Sequence, residues 1–380
     1  MVVIQNAVLV FENELMPDGV LLLENGRIAA VGREGTVPIP SGAETIDAGG
    51  LTVGPGFVDI HVHGGGGCRF DADPAGAAAF FLKNGETTVL PTFYTDLDRE
   101  GYAAAADRVR AAMRTDAGRN IAGLYMEGPY MNPKYGAIAD QNKWRGPIAE
   151  EDVRFLVERL SDLVRVWAIA PEREGILAFV KEAARENSAV VFSVAHSEAV
   201  PSQVSALKPY GLRLQTHCTN ATGRPPTLRG TRSCGPDEAC FLDDDIYAEV
   251  ICDSLGVHVC PDMLRLIRKI KGVGKMILIT DSTVTGGENP PAFRHIADLS
   301  FAENGDLYGS RLTLAAACRN LRKHIGASIP EVFCMASRNP ARVIGLGDEI
   351  GTIAVGKRAD LVFVDDDFGV RRVICGGEPI

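Results

Sequence analysis

The middle of the chain alternates short apolar runs, which predict buried strands, with longer amphipathic runs, which predict helices. The strand-like runs are rich in Val, Ile and Leu, and most of them lead into a polar or glycine-containing turn. The helix-like segments include Arg99–Arg114, Glu150–Arg159, Gly175–Glu186 and Met263–Ile270. The eight strand-like runs are Phe57–His63, Thr87–Tyr94, Ile121–Glu127, Val164–Ala170, Val190–His196, Leu212–His217, Tyr247–Asp253 and Lys275–Asp281.

This alternation predicts an α/β protein built as a (β/α)₈ TIM-like barrel. An open, doubly wound sheet is the alternative that the pattern leaves open. The barrel is favoured because the number of strand-like runs matches its strand count. In addition, no Gly-x-Gly-x-x-Gly turn of the doubly wound type follows the first run.

Both ends of the chain differ from the middle, since they contain short β-rich runs without a helical period. The dipeptide Asn25-Gly26 predicts a hairpin between the runs Val20–Glu24 and Arg27–Val31. Similar runs return after Gly351, and we therefore expect the two termini to build one small β-sandwich domain. The predicted division is residues 1–53 with 345–380 for this domain, and residues 54–344 for the barrel.

Polar residues of metal-ligand type recur at the carboxyl ends of the strand-like runs. His61 and His63 share one face of the first strand, because strand side chains alternate with a period of two. The carboxyl ends of barrel strands meet at one face, so side chains there converge on a small volume. Taken singly, Glu127 is most simply a loop acid and Asp281 a helix cap. The set that together favours a metal site is His61, His63, Glu127, His196, His217 and Asp281.

Imidazoles and carboxylates without cysteine suit a divalent metal, with zinc or iron expected first and manganese or cobalt as alternatives. Such a site supports hydrolysis, because a bound cation polarises a carbonyl group and lowers the pKa of water. A carboxylate beside that water can accept its proton and pass it to the leaving group. Asp281, at the end of the last strand, is therefore the candidate catalytic acid and base.

Charge and composition exclude several other classes of function. The formal net charge is −10 and no basic stripe offsets it, which excludes a nucleic-acid partner. No apolar run approaches membrane-spanning length, and the apolar start Met1–Val10 lacks the basic flank of a signal peptide. The nine cysteines form no Cys-x-x-Cys pair and indicate reduced thiols. We therefore expect a cytoplasmic enzyme without a membrane partner.

Nine segments carry motifs that occur together, in this order, in one known family. They are Pro55–Gly64, Leu90–Thr92, Glu127–Tyr130, Ala195–Ser197, Thr216–Ala221, Asp245–Tyr247, Thr280–Thr283, Gly309–Thr313 and Gly351–Asp360. With them the chain resembles the amidohydrolase superfamily, and within it the N-acetylglucosamine-6-phosphate deacetylase branch. The resemblance covers nearly the full length, and the Glu-Gly-Pro and His-x-x-Asn-Ala motifs are the most specific to that branch.

The resemblance implies that Glu127, His196 and His217 bind the main metal ion. A second ion would be held by His61 and His63, with Glu127 bridging and Asp281 nearby, so one or two ions per chain are expected. It also implies a homodimer and an amino-sugar substrate, an N-acetyl amino-sugar phosphate that loses acetate. The substrate contacts implied are Ala137, Asn220, Ala221, His258, Leu307, Tyr308 and Gly309.

Three departures from the family pattern all lie on the substrate side. Ile138 stands where the family has His or Gln, and the segment 253–258 is longer than usual. The segment 222–232 contains three arginines where the family has one that meets the sugar phosphate. We expect at least one of them to contact an anionic group, with Arg224 and Arg232 as the candidate substrate residues. A solvated basic loop is the equal alternative.

These departures keep two other functions open. One is a hydrolase for a different N-acyl amino sugar, an N-acyl amine or a cyclic amide. The other is a non-catalytic scaffold, which the intact set of ligand-type residues disfavours.

Overall fold

The computed structural model describes residues 1–284 and 286–380 and contains an eight-stranded parallel sheet. Consecutive strands pair side by side in chain order. The first and eighth strands meet where the N–H of Asp281 donates to the carbonyl of His61 at 2.9 Å. The predicted (β/α)₈ barrel is therefore confirmed. Its strands are Phe57–Val62, Glu86–Phe93, Leu124–Glu127, Val164–Ile169, Val191–Val194, Leu212–Gln215, Tyr247–Ile251 and Met276–Ile279.

The helices pack one apolar face each against the barrel. In the helix Arg99–Ala112, Asp98 caps the first turn by accepting the N–H of Gly101. The buried residues of this helix recur at helical spacing, and they are Tyr102, Ala105, Ala106, Val109 and Ala112. The α-helices are Pro74–Lys83, Arg99–Ala112, Glu150–Leu160, Ile176–Glu186, Pro201–Leu207, Pro236–Leu242, Pro261–Lys271, Leu314–Ile325, Ile329–Phe333 and Asn339–Val343. Within the described residues, none of them combines the length and apolar character needed to cross a membrane.

Strands from both termini form a second sheet. Thr52–Pro55 joins the two halves, because it pairs with Val2–Val10 on one side and Leu361–Val364 on the other. The predicted hairpin is present, with Asn25 and Gly26 both at positive φ, 49° and 76°. The remaining strands of this sheet are Leu15–Glu24, Arg27–Arg33, Glu44–Asp47, Val370–Cys375 and Glu378–Pro379.

One apolar cluster unites the two halves of the terminal sheet. Side chains from the amino-terminal strands, such as Ile4 and Leu21, pack with Leu361 and Ile374 from the carboxyl-terminal strands. This shared core confirms a small β-unit built from both termini. The division of the chain at residues 53 and 345 stays a prediction.

Two short hairpins stand beside the ends of barrel strands. Gly64–Gly65 pairs with Cys68–Arg69 directly after the first strand. Leu299–Phe301 pairs with Leu307–Ser310 after the eighth strand, and Ser310 also forms a β-bridge with Ser282. Both hairpins therefore extend the barrel at the face where the polar strand-end residues gather.

Candidate metal and active site

Four of the six residues selected at strand ends lie one or two positions beyond the strands, whereas His61 and Glu127 lie within theirs. His63 follows the first strand directly, and His196, His217 and Asp281 each lie two residues past a strand end. These three have positive φ values of 42°, 27° and 49°. Non-glycine residues rarely adopt this left-handed backbone, and such strain is concentrated at functional sites. The local turn lets each side chain face the mouth of the barrel.

Glu127 is the centre of the cluster. Its Oε1 lies 2.8 Å from His196 Nε2 and 3.1 Å from His217 Nε2. Its Oε2 lies 3.1 Å from His63 Nε2 and 3.5 Å from His61 Nε2. One carboxylate therefore faces two pairs of imidazoles with its two oxygens, the arrangement that the family resemblance implies for a bridging ligand. The role of all these residues as ligands stays a prediction.

Asp281 joins the cluster on the side of the first strand. Its Oδ1 lies 3.2 Å from His63 Nε2 and 3.7 Å from His61 Nε2. The alternative of a helix cap is wrong, because Ser282 follows it in a β-bridge with Ser310 rather than in a helix. Asp281 is thus free of a capping role and faces the imidazoles.

The side chains present fit a divalent metal. Ligand-type atoms converge in two groups, one of His61, His63 and Glu127 and the other of Glu127, His196 and His217. In the second group the two Nε2 atoms lie only 3.2 Å apart and face the same carboxylate oxygen. His61 Nε2 is buried and has no hydrogen-bond partner among the described residues. Imidazole nitrogens and carboxylate oxygens at such separations suit zinc or another first-row ion.

The charges of the cluster reinforce this fit. Burial opposes ionisation of Glu127, but His61, His196 and His217 hold its pKa well below the usual range. Burial acts the same way at Asp281, where His63 and His61 nevertheless lower the pKa. At His63, burial favours the neutral ring, but Asp281 and Glu127 raise the pKa to about 9. The two buried carboxylates therefore require positive charge beside them, as protons on imidazoles or as a cation that replaces those protons.

A cavity of about 270 Å³ adjoins the cluster, and His63, Glu127, His196, His217 and Asp281 form part of its wall. Seven of the residues selected as substrate contacts also line it, namely Ala137, Asn220, Ala221, His258, Leu307, Tyr308 and Gly309. The structure thus brings these seven together beside the candidate metal site. Their role in substrate binding stays a prediction.

His258 ties two loops of the cavity wall together. Its Nδ1 lies 3.0 Å from Asp253 Oδ2, and its Nε2 lies 3.0 Å from the carbonyl oxygen of Gly309. The segment 253–258 folds around the Asp253 carboxylate, which also accepts the backbone N–H groups of Leu255 and Val257. The extra length of this segment therefore forms a compact turn that holds His258 in the wall.

The candidate arginines are not brought to the cavity. Arg224 and Arg232 both form ion pairs with Glu238, at 2.6 and 3.0 Å. Neither residue is part of the cavity wall. Ile138 contributes to a neighbouring groove rather than to the cavity itself. The loop 222–232 thus corresponds more closely to the solvated basic loop, and a contact between its arginines and substrate stays a prediction.

Two residues near the chemistry were missed by the sequence interpretation. Tyr94 lines the cavity and directly follows the second strand. A search of the strand ends for aromatic residues, and not only for metal-ligand types, would have found it. Glu249 is fully buried within the seventh strand, and its Oε2 lies 3.3 Å from His61 Nδ1. Its only signal in the sequence is a carboxylate inside an otherwise apolar strand.

Comparisons with known proteins agree with this architecture. The chain is 28% identical to an N-acetylglucosamine-6-phosphate deacetylase of Bacillus subtilis, over 98% of this chain and 96% of that protein. It is 29% identical to an N-acetylgalactosamine-6-phosphate deacetylase of Escherichia coli O157:H7, over 97% of each. A crystal structure of N-acetylglucosamine-6-phosphate deacetylase from Pasteurella multocida superposes with a TM-score of 0.86, covering 100% and 99% of the two chains at 26% identity.

These similarities confirm the resemblance that the sequence motifs indicated, over nearly the full length of the chain. The family model described as "Amidohydrolase family" matches residues 52–380. That range contains the whole barrel, the six clustered side chains and the carboxyl-terminal part of the second sheet. The chain therefore belongs to the amidohydrolase family, a family of hydrolases that act on amide bonds.

Proposed function

We propose that this protein is a metal-dependent deacetylase that releases acetate from an N-acetyl amino-sugar 6-phosphate. The observation that carries the proposal is the cluster around Glu127, whose two oxygens face two pairs of imidazoles at the base of a cavity. The similarity to deacetylases of two different amino-sugar phosphates supports this substrate class.

Glu127, His196 and His217 would hold the main divalent ion. The group His61, His63 and Glu127 would hold a second, giving one or two ions of zinc or iron, or of manganese or cobalt. When bound, such an ion polarises the acetyl carbonyl and lowers the pKa of the attacking water. This set of ligand-type residues also argues against a non-catalytic scaffold, because an inert protein gains nothing from a cluster of buried charges.

Asp281 carries the proton in this proposal. Its lowered pKa leaves the carboxylate ionised at neutral pH, so that Oδ1 accepts a proton from the attacking water. As the amide C–N bond breaks, the same oxygen donates that proton to the sugar nitrogen. Water and the N-acetyl group thereby yield acetate and the free amine, with no other reactant required.

The cavity wall would orient the acetylated sugar. Asp253 and the Gly309 carbonyl fix the His258 ring, which leaves that imidazole edge at a constant place beside the substrate. Asn220, Ala221 and the turn at Leu307–Gly309 border the same space. A sugar held against these groups places its acetyl carbonyl toward Glu127 and Asp281.

The decisive experiment measures acetate release from matched substrates. Purified protein would be given N-acetylglucosamine 6-phosphate, N-acetylgalactosamine 6-phosphate and the same sugars without phosphate. We expect the phosphorylated sugars to be preferred by about tenfold or more in kcat/KM, the scale of one charge-assisted contact. Equal rates with and without the phosphate would contradict the proposed substrate, and no acetate from any sugar would contradict the deacetylase.

One observation favours a second candidate, a hydrolase for an uncharged N-acyl amine, N-acyl amino sugar or cyclic amide. No Lys or Arg lines the cavity within residues 1–284 and 286–380. Arg224 and Arg232 pair with Glu238 instead of facing the cavity. A preference for phosphate-free substrates in the same screen would support this alternative.

We further propose a cytoplasmic homodimer. The nine free cysteines support a reducing compartment, and the resemblance to the deacetylase branch supports the dimer. Light scattering on the purified protein tests the dimer, since a monomer at micromolar concentration would contradict it.

A further inference from the structure

Glu249 is a fully buried carboxylate in the interior of the barrel, below the candidate metal site. Its Oε2 lies 3.3 Å from His61 Nδ1 and accepts the Tyr125 hydroxyl at 3.5 Å. Its Oε1 has no hydrogen-bond partner among the described residues. A carboxylate in such a place is costly unless it compensates a specific partner, and His61 is the partner that it meets.

The His61 ring is held on its face as well as on its edge. The Tyr125 ring stacks on it with centroids 4.5 Å apart and an angle of 30° between the planes. The Tyr125 hydroxyl is 2.7 Å from Thr216 Oγ1, which is 2.6 Å from Ser193 Oγ. Side chains from the third, fifth and seventh strands, together with Thr216 directly after the sixth, therefore fix the orientation of this one imidazole.

His196 and His217 lack this support. The Nδ1 atoms of His196 and His217 are buried and have no hydrogen-bond partner among the residues that the structure describes. Both rings use Nε2 toward Glu127. Of these three rings, only that of His61 has a carboxylate at the nitrogen remote from Glu127.

We propose that Glu249 is a positioning residue that increases the affinity of the His61–His63–Glu127 group for a divalent cation. This inference rests on the proposed metal-dependent function. Glu249 accepts the Nδ1–H of His61, which selects the tautomer whose Nε2 lone pair faces Glu127 and Asp281. Its negative charge also makes the imidazole a more basic ligand. The effect is confined to this group, because Glu249 makes no contact with His196 or His217 in the described hydrogen-bond network.

Two variants separate charge from geometry. Glu249→Gln keeps the size of the side chain and an acceptor oxygen but removes the charge, whereas Glu249→Leu removes the acceptor as well. Metal-free protein would be titrated with Zn²⁺ by calorimetry and with Co²⁺ by visible absorption, in the absence of substrate. We expect two binding events in the unchanged protein. In the Glu249 variants, the affinity of the weaker event should fall by about 10- to 100-fold. The loss is expected to be larger in Glu249→Leu, while the tighter event is unchanged.

Glu86→Gln is the matched control. Glu86 is also fully buried in a barrel strand, but its Oε1 accepts the N–H of Leu314 and its contacts do not include the candidate ligands. Both binding events should be preserved in this variant. Circular dichroism verifies folding, and the near-isosteric Glu249→Gln decides the matter if Glu249→Leu does not fold.

Three outcomes would overturn the proposal. The first is that, in both Glu249 variants, the affinity of the weaker event stays within twofold of its value in the unchanged protein. The second is an equal loss at both events, which marks general structural damage, and the third is a single event in the unchanged protein that the variants preserve. The titrations contain no substrate, so a failure here is distinct from a failure of the deacetylase, which acetate release alone decides.

Discussion

The base and the rim of the cavity follow different structural rules. The base consists of buried side chains at the ends of barrel strands, each held by a neighbour on another strand, as Glu127 is by His196 and His63. The rim is loop 222–232, which follows the wall residues Asn220 and Ala221 but is not itself part of the wall. It carries exposed cations, and the side chain of Arg232 is 74% exposed. The barrel strands therefore fix the geometry of the clustered side chains, whereas the position of the arginines depends on an irregular loop outside the barrel.

The largest expected effect comes from removing a histidine at the base. Replacing His196 or His217 with Ala takes away one of three converging ligand-type atoms, so the ion of the Glu127, His196 and His217 group should be lost and acetate release should fall to background. Metal content by mass spectrometry and a turnover assay measure the two. His295→Ala, at an exposed position, is the control and should retain both. Full metal content with full activity in either variant would refute the ligand assignment.

Asp281→Asn tests the proton transfer at the base. An amide cannot accept the proton of the water, and general acid–base catalysis typically contributes about 10²–10⁴-fold. We expect a folded protein that binds substrate and turns it over at least about a hundredfold more slowly. Single-turnover kinetics with direct substrate binding measure the two effects. Asp262→Asn, at a 93% exposed side chain, is the control, and near-normal turnover in Asp281→Asn would move the proton role to another group.

The rim should respond more weakly. A sugar phosphate can reach Arg224 or Arg232 only by displacing Glu238, so the double Ala variant should lose at most about tenfold in kcat/KM, the scale of one charge-assisted contact. The loss should occur on phosphorylated sugars and not on phosphate-free ones. Arg154→Ala, on an exposed helix face, is the control. An unchanged ratio between the two substrate types would leave this loop a solvated surface.

The smallest effect on turnover, but a clear effect on stability, is expected at Glu86. Burial raises the pKa of this carboxyl from about 4.5 to about 8. The folded-state pKa of Glu86 exceeds its unfolded-state pKa. The contribution of this carboxyl to the free energy of unfolding is therefore fully present below about pH 4.5 and is lost as the pH rises through about 8. Between pH 5 and 8, the free energy of unfolding should therefore fall less in Glu86→Gln than in the unchanged protein. The difference should be a few kcal/mol, at roughly 1.4 kcal/mol per unit of pKa shift. Thermal unfolding across this range measures it, and parallel curves would contradict the assignment.

The sequence contained most of the information about the base. Apolar runs with a polar end predict barrel strands, and the convergence of strand ends then groups His61, Glu127 and Asp281 without further data. The pattern could not show that three of the residues lie beyond their strands in left-handed backbone. Backbone conformation at those positions depends on contacts between strands, which have no periodic signature in the sequence.

The rim and the interior could be predicted less well. The charge of Arg224 is visible in the sequence, but its ion pair with Glu238 depends on the fold of an irregular loop. Glu249 is one carboxylate within an apolar strand, and its position beneath His61 follows from the stagger of strands that are far apart in sequence. Tertiary contacts of this kind decide what an isolated polar residue does.

The hydrogen bond that joins Asp281 to the first strand both closes the barrel and completes the cluster of side chains. Glu127, His196 and His217 all precede the seventh strand, so their group includes no residue from the last two strands. Asp281 reaches His63 only after the last strand has closed the barrel, through the bond from its N–H to the carbonyl of His61. Local opening of that contact would withdraw Asp281, the residue that we propose for proton transfer, while Glu127, His196 and His217 would keep their own strands.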